Sequence, residues 1–130
     1  MRIISDLNRR GFASIALAML LVGCSPTTAP MSDAAKAKEL LQKMLGEWQS
    51  GTKLGEIKKL SPPVYITEDL WRNGAILDEF SLADDSEVLG SNIRIQVKLK
   101  CSSKNGKVVE RSVRYLVTTQ PALTIAREEG

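Results

Sequence analysis

The sequence predicts an α+β domain in which one N-terminal amphipathic helix packs on a twisted antiparallel sheet of about four strands. Three observations predict it. Ala37, Leu40, Leu41, Met44, Leu45 and Trp48 recur three and one residues apart in turn, which is one stripe of a helix. Ile93, Ile95, Val97, Leu99 and Cys101 alternate without a break with Arg94, Gln96, Lys98 and Lys100, the period of a strand with one wet face. Asn105-Gly106 then divides that run from a second one, Val108 to Thr118, as a hairpin turn does.

Each element has its own local justification. Ser32 or Asp33 offers the helix N-cap, Lys36, Lys38, Glu39, Gln42 and Lys43 occupy its polar side, and Gly51 ends it. A helix this short is marginal alone, so its stripe must cover an apolar surface. "TKLGEIKKL" offers a short second turn or helix before Pro62 and Pro63 stop it. Val64 to Thr67 is a β-branched and aromatic run, and Ala75 to Leu82 is a further strand. The alternation of the latter slips at Asp78 and Glu79, as at a bulge, and Asp84 and Asp85 begin a loop. In the run from Val108, the residues Val109, Val113, Tyr115 and Val117 form the buried set, interrupted by Arg111. Pro121 turns the chain into a last strand, Ala122 to Arg127.

A long twisted sheet wrapped around one N-terminal helix resembles the cystatin-like superfamily, which includes the nuclear transport factor two-like folds. The resemblance rests on element order from about Asp33 to Arg127. "WRNGAILDEF", with Trp71, Gly74, Leu77 and Phe80, also resembles small exported bacterial proteins of this kind, whose function is uncharacterised. A cystatin-type protease inhibitor presents a Gln-x-Val-x-Gly loop. Here Gln96-Val97 lies within a strand and lacks the glycine, so that activity is not carried over.

The first 23 residues have the layout of an export signal. Arg9 and Arg10 precede "FASIALAMLLVG", an apolar run of twelve. Twelve residues of helix span about 18 Å, short of the ~30 Å hydrocarbon core, so a permanent transmembrane helix is not expected. Leu21-Val22-Gly23-Cys24 closely resembles the lipobox of bacterial lipoproteins. The resemblance implies cleavage between Gly23 and Cys24, a diacylglyceryl group on the Cys24 sulfur, and acylation (usually palmitate) of the new amine. "NRRGFAS" resembles a twin-arginine signal through Arg9, Arg10 and Phe12, with Ala13 and Ser14 departing from the pattern. Two arginines also supply the positive start of a general secretory signal, so both routes stay open. Residues 24–32 then read as the lipidated cysteine and a flexible tether, and 33–130 as the α+β domain. Eight tether residues reach roughly 15 Å.

The formal charge is +3, from 18 Lys and Arg against 15 Asp and Glu. Three of those cations and one of those anions precede Cys24, leaving the remainder nearly neutral. Nucleic acid binding, which needs clustered cations, therefore has no support. The chain has no histidine and two cysteines. With Cys24 a thioether, Cys101 has no partner for a disulfide, and neither a thiol-based metal site nor a cofactor is called for. Cys101 reads as a small buried apolar group, and Trp48 and Trp71 as packing residues. Asp78 and Glu79 are neighbours on a strand and point to opposite faces unless a bulge intervenes. No Gly-rich phosphate loop is present. Catalytic residues are therefore not expected.

One cationic candidate remains. Arg94, Lys98 and Lys100 share a strand face that Arg114 joins from the next strand, with Glu110 between them. Such a face could attract an anionic lipid or polymer, or an acidic partner; with the net charge so near zero, a solvated face balanced by cross-strand ion pairs is the favoured expectation. The expected function is a non-enzymatic envelope lipoprotein, lipid-anchored in the cell membrane or outer membrane and facing the periplasm or the exterior. There it would bind or scaffold an envelope protein or an anionic polymer. The alternative expectation is a small-ligand-binding or degenerate enzyme domain, with a cavity between helix and sheet.

Overall fold

The structure, a computed structural model, describes residues 31–129. Gly23 and Cys24, where cleavage and lipidation are expected, lie outside the described residues, as does most of the segment expected to be a tether. The helix α1 spans Ala34–Gln49. Asp33 caps it: one carboxylate oxygen accepts the N–H groups of Ala35 at 2.8 Å and Lys36 at 3.2 Å, two donors a helix start leaves unpaired. Ser32 serves differently. Its hydroxyl donates to the Ser91 carbonyl at 2.6 Å and accepts from the Thr119 N–H at 2.9 Å. The Asp33 N–H donates to the Thr119 hydroxyl at 3.1 Å, so the helix entrance is lashed to two turns of the sheet.

At its other end α1 closes in a Schellman motif. The N–H of Gly51 donates to the Trp48 carbonyl and that of Thr52 to the Glu47 carbonyl, both at 3.0 Å. Gly51 has φ +92°, in the left-handed region that a side chain disfavours. Two single-turn helices, α2 (Leu54–Ile57) and α3 (Asp69–Arg72), flank a short strand, β1 (Val64–Thr67). Four longer passes follow: β2 (Ile76–Leu89), β3 (Asn92–Ser102), β4 (Val108–Thr118) and β5 (Leu123–Arg127).

The α+β class stands, with two corrections to the sheet. It has five strands, in the order β1-β5-β4-β3-β2, and it is mixed. β2 to β5 form an antiparallel meander, whereas β1 joins the edge of β5 in parallel, Val64 opposite Leu123 and Ile66 opposite Ile125. After β1 the chain turns through α3 and crosses to the opposite edge. β1 meets its neighbour only when the meander returns, and a parallel pair requires such a long crossover.

The third correction concerns β2. The register shifts between Leu77 and Glu79, so Asp78 sits at the expected bulge, and again between Leu82 and Ser86. Asp84 and Asp85 therefore do not begin a loop. They lie inside the second irregularity, after which Ser86 to Leu89 resume pairing with Ile95 to Asn92.

The core lies between α1 and one face of the sheet. Ala37, Leu41, Met44, Leu45 and Trp48 are buried against Ile93, Ile95, Val97 and Leu99, with Tyr115, Val117 and Ile125 behind them. Burying each large apolar side chain stabilises by about 1.5–3 kcal/mol. The void left inside, beside Leu41, Met44, Tyr115 and Ile125, is about 10 Å³. That is about the space of one water.

Candidate functional site

A large concavity lies at the end of α1 far from Ser32. It is an open-mouthed cleft of about 770 Å³ between the α1–α2 loop, β1, α3 and the β3–β4 hairpin, within the size range of small-molecule sites. Trp48 and Trp71 form its floor, with ring centroids 5.5 Å apart and planes within 5° of parallel. Each indole N–H is committed to backbone, Trp48 to the Ala75 carbonyl at 2.8 Å and Trp71 to the Thr52 carbonyl at 2.9 Å. These two bonds tie the helix end, the loop after it and the start of β2 into one unit. Both rings are buried, as the packing expectation has it.

Four cations line the cleft: Lys53, Lys58, Arg72 and Lys104. Arg72 is engaged with Asp69 at 2.5 Å. The three lysines meet no carboxylate at ion-pair distance among the described residues. Lys104 reaches the rim by crossing Gly74, whose φ is +87°. A Cβ there would stand 3.0 Å from Lys104 Cε and 3.5 Å from Nζ, a contact the flexible lysine end can relieve, so it is the backbone that favours glycine.

One acidic residue, Glu68, also lines the cleft, and it is fully engaged. Its Oε1 accepts from the Leu70 N–H at 3.0 Å and from Arg127 Nη2 at 2.5 Å. Its Oε2 accepts from the Tyr115 hydroxyl at 2.5 Å and from Arg127 Nε at 3.0 Å. With the side chain 1% exposed, this is a buried ion pair with four donors on one carboxylate, an anchor between β1, α3, β4 and β5. Burial, and then the Glu68 charge, hold the Tyr115 hydroxyl well above its ordinary pKa. Sequence reasoning singled out neither Glu68 nor Arg127. One signal existed: on the alternation of β5, Arg127 falls on the same side as the buried Ile125.

The predicted cationic residues do share the outer face of the sheet, interleaved with acids. Arg94 is bound by Glu128 through Nε at 2.7 Å and Nη2 at 2.8 Å, and by Glu87 through Nη1 at 2.8 Å. The hydrogen bond from Arg94 is the main reason the Glu128 carboxyl is held below its ordinary pKa. Lys100 stands between Glu79 and Glu110 in register. Lys98 stands between Ser81 and Ser112, and Arg114 opposite Gln96. A depression of about 500 Å³ on this face is lined by Glu79 and Glu110 as well as Lys98 and Lys100.

Of the other candidates, Asp78 accepts a hydrogen bond from the Ser102 hydroxyl at the sheet end, and Glu79 pairs outward. Cys101 is a buried free thiol, and burial, with Glu68 second, pushes its pKa up to about 11. Among the described residues no group of three or more acidic or cysteine side chains is placed to hold a metal ion, and no helix is long and apolar enough to cross a membrane. No family model matches this chain, and no curated protein or solved structure is significantly similar to it.

Proposed function

We propose that this protein is a lipoprotein of a bacterial envelope, a small non-enzymatic binding module tethered through lipid on Cys24. The observation that carries the proposal is Leu21-Val22-Gly23-Cys24, directly after a twelve-residue apolar run that starts behind two arginines. Acyl chains contribute about 0.8 kcal/mol per buried methylene, and two or more are needed for a stable anchor. A cysteine carrying a diacylglyceryl group and an acylated amine meets that need. Ser32 is already bonded to the turns at Ser91 and Thr119, only eight residues after Cys24.

On this reading the domain is a cystatin-like binding scaffold, supported by one long helix laid across an antiparallel meander. Replacing Cys24 by serine tests the anchor. The unaltered protein is expected in the membrane fraction, with palmitate incorporated and a mass above that of the polypeptide. Cys24→Ser should be released from membranes without added lipid mass. A Cys24→Ser protein that stays membrane-bound at unchanged mass would end the proposal.

A further inference from the structure

The geometry points to a second functional site, the tryptophan-floored cleft, as a binding site for a soluble phosphorylated solute carrying at least two negative charges. Lys53, Lys58 and Lys104 come from the α1–α2 loop, the end of α2 and the β3–β4 hairpin, and all three line one cleft. With no carboxylate at ion-pair distance among the described residues, they give the described lining of the cleft an excess of positive charge. The one acid lining it among the described residues, Glu68, is neutralised by Arg127. On the outer sheet face Arg94 is held by Glu87 and Glu128 and Lys100 stands in register between Glu79 and Glu110, so acids are interleaved with the cations there.

The kind of cation sets the kind of anion. Guanidinium forks favour the planar, two-pronged recognition of a carboxylate, and the one arginine in the cleft already has Asp69. Lysine ammonium groups act as compact point charges and suit the several oxygens of a phosphoryl group. Leu54, Ile66 and Ile76 in its lining add apolar surface for the body of the ligand.

Position decides the source. Ser32, where the tether enters, contacts the β2–β3 turn at Ser91. The cleft lies past the other end of α1, about 24 Å away along sixteen helical residues. With lipid on Cys24 the cleft opens at the pole away from the tether, toward solutes rather than the headgroups of its own bilayer. The orientation rests on the lipoprotein reading; the binding does not.

The test uses the full chain extracted in neutral detergent, titrated calorimetrically at low salt with inorganic pyrophosphate. Saturable binding at one site is expected, weaker at high salt. It should weaken about tenfold or more in K53Q/K58Q/K104Q and by less than about twofold in K98Q/R114Q on the outer face. Unchanged thermal unfolding will show that the triple variant folds, and K104Q alone should lose about threefold if it does not. Absence of saturable binding, equal affinity in the cleft variants, or citrate binding as tightly as pyrophosphate would overturn the assignment. Protein reconstituted in phosphatidylglycerol and in phosphatidylcholine vesicles should bind pyrophosphate equally. A loss of about tenfold in phosphatidylglycerol would mean that headgroups fill the cleft, overturning the soluble source. Cys24→Ser protein should give the same titration, so failure of the anchor and failure of the cleft are told apart.

Discussion

Removing a carboxylate from water costs several kcal/mol even after relaxation, and Glu68 offsets that cost with four donors from three directions. Taking away one partner leaves the other buried and unpaired. Glu68→Ala is therefore expected to lower the unfolding free energy by about 3–5 kcal/mol, and Glu68→Leu with Arg127→Met to recover part of the loss. Urea unfolding followed by tryptophan fluorescence checks this, and a drop below about 1 kcal/mol would show that the pair is not structural. Cys101 behaves in the opposite sense. Its folded pKa of about 11 lies above the ordinary 9.0, so the folded state holds the proton longer. Its contribution is complete below pH 9 and is lost as pH rises toward 11, a direction that Tyr115 shares. In the Cys24→Ser chain, where Cys101 is the remaining thiol, a thiol reagent at neutral pH should react slowly until urea unfolds the protein. Rapid labelling of the folded chain would contradict the buried placement.

At the scale of elements, α1 owes its boundaries to two residues. Asp33→Ala removes a side-chain cap and should cost about 1 kcal/mol. Gly51→Ala meets no atom within 4 Å of the added Cβ, so its cost of about 1–2 kcal/mol comes from the left-handed backbone alone. Thermal melts of the two variants check both, and an unchanged midpoint for Gly51→Ala would refute the backbone argument. Elements of this kind are legible from sequence because their signals are local: a stripe at helical spacing, a strict alternation over Ile93 to Cys101, and Asn-Gly between two such runs. The bulge at Asp78 is legible for the same reason, as a break in parity. Ser86 to Leu89 were not, because two irregularities in one strand erase the period while its partner, β3, keeps the pairing. The parallel joining of β1 to β5 was invisible too, since alternation tells which side chains face inward and says nothing of which strand lies alongside. The cleft followed from neither, because its lysines come from three segments that only the tertiary fold assembles.

Across the whole molecule, β5 is the strand on which closure depends. It pairs antiparallel with β4 on one side and parallel with β1 on the other, and it supplies Ile125 to the core and Arg127 to Glu68. Among the described strands β1 has no other partner, and more than fifty residues separate Val64 from Leu123, so loop-closure entropy is regained only when β5 docks. A chain ended after Gln120 leaves β1 unpaired, exposes Ile125's neighbours and strands a buried carboxylate. Loss of the ion pair alone costs about 3–5 kcal/mol, and each uncovered apolar side chain adds about 1.5–3 kcal/mol. A domain of this size has about 5–15 kcal/mol in total. The shortened chain is thus expected to lose its cooperative transition, while the full chain shows coincident unfolding by far-ultraviolet circular dichroism and tryptophan fluorescence. Retention of a sharp transition by the shortened chain, with the Trp48–Trp71 signal unaltered, would mean that α1 and the meander form a self-sufficient unit and that β1 and β5 only decorate it.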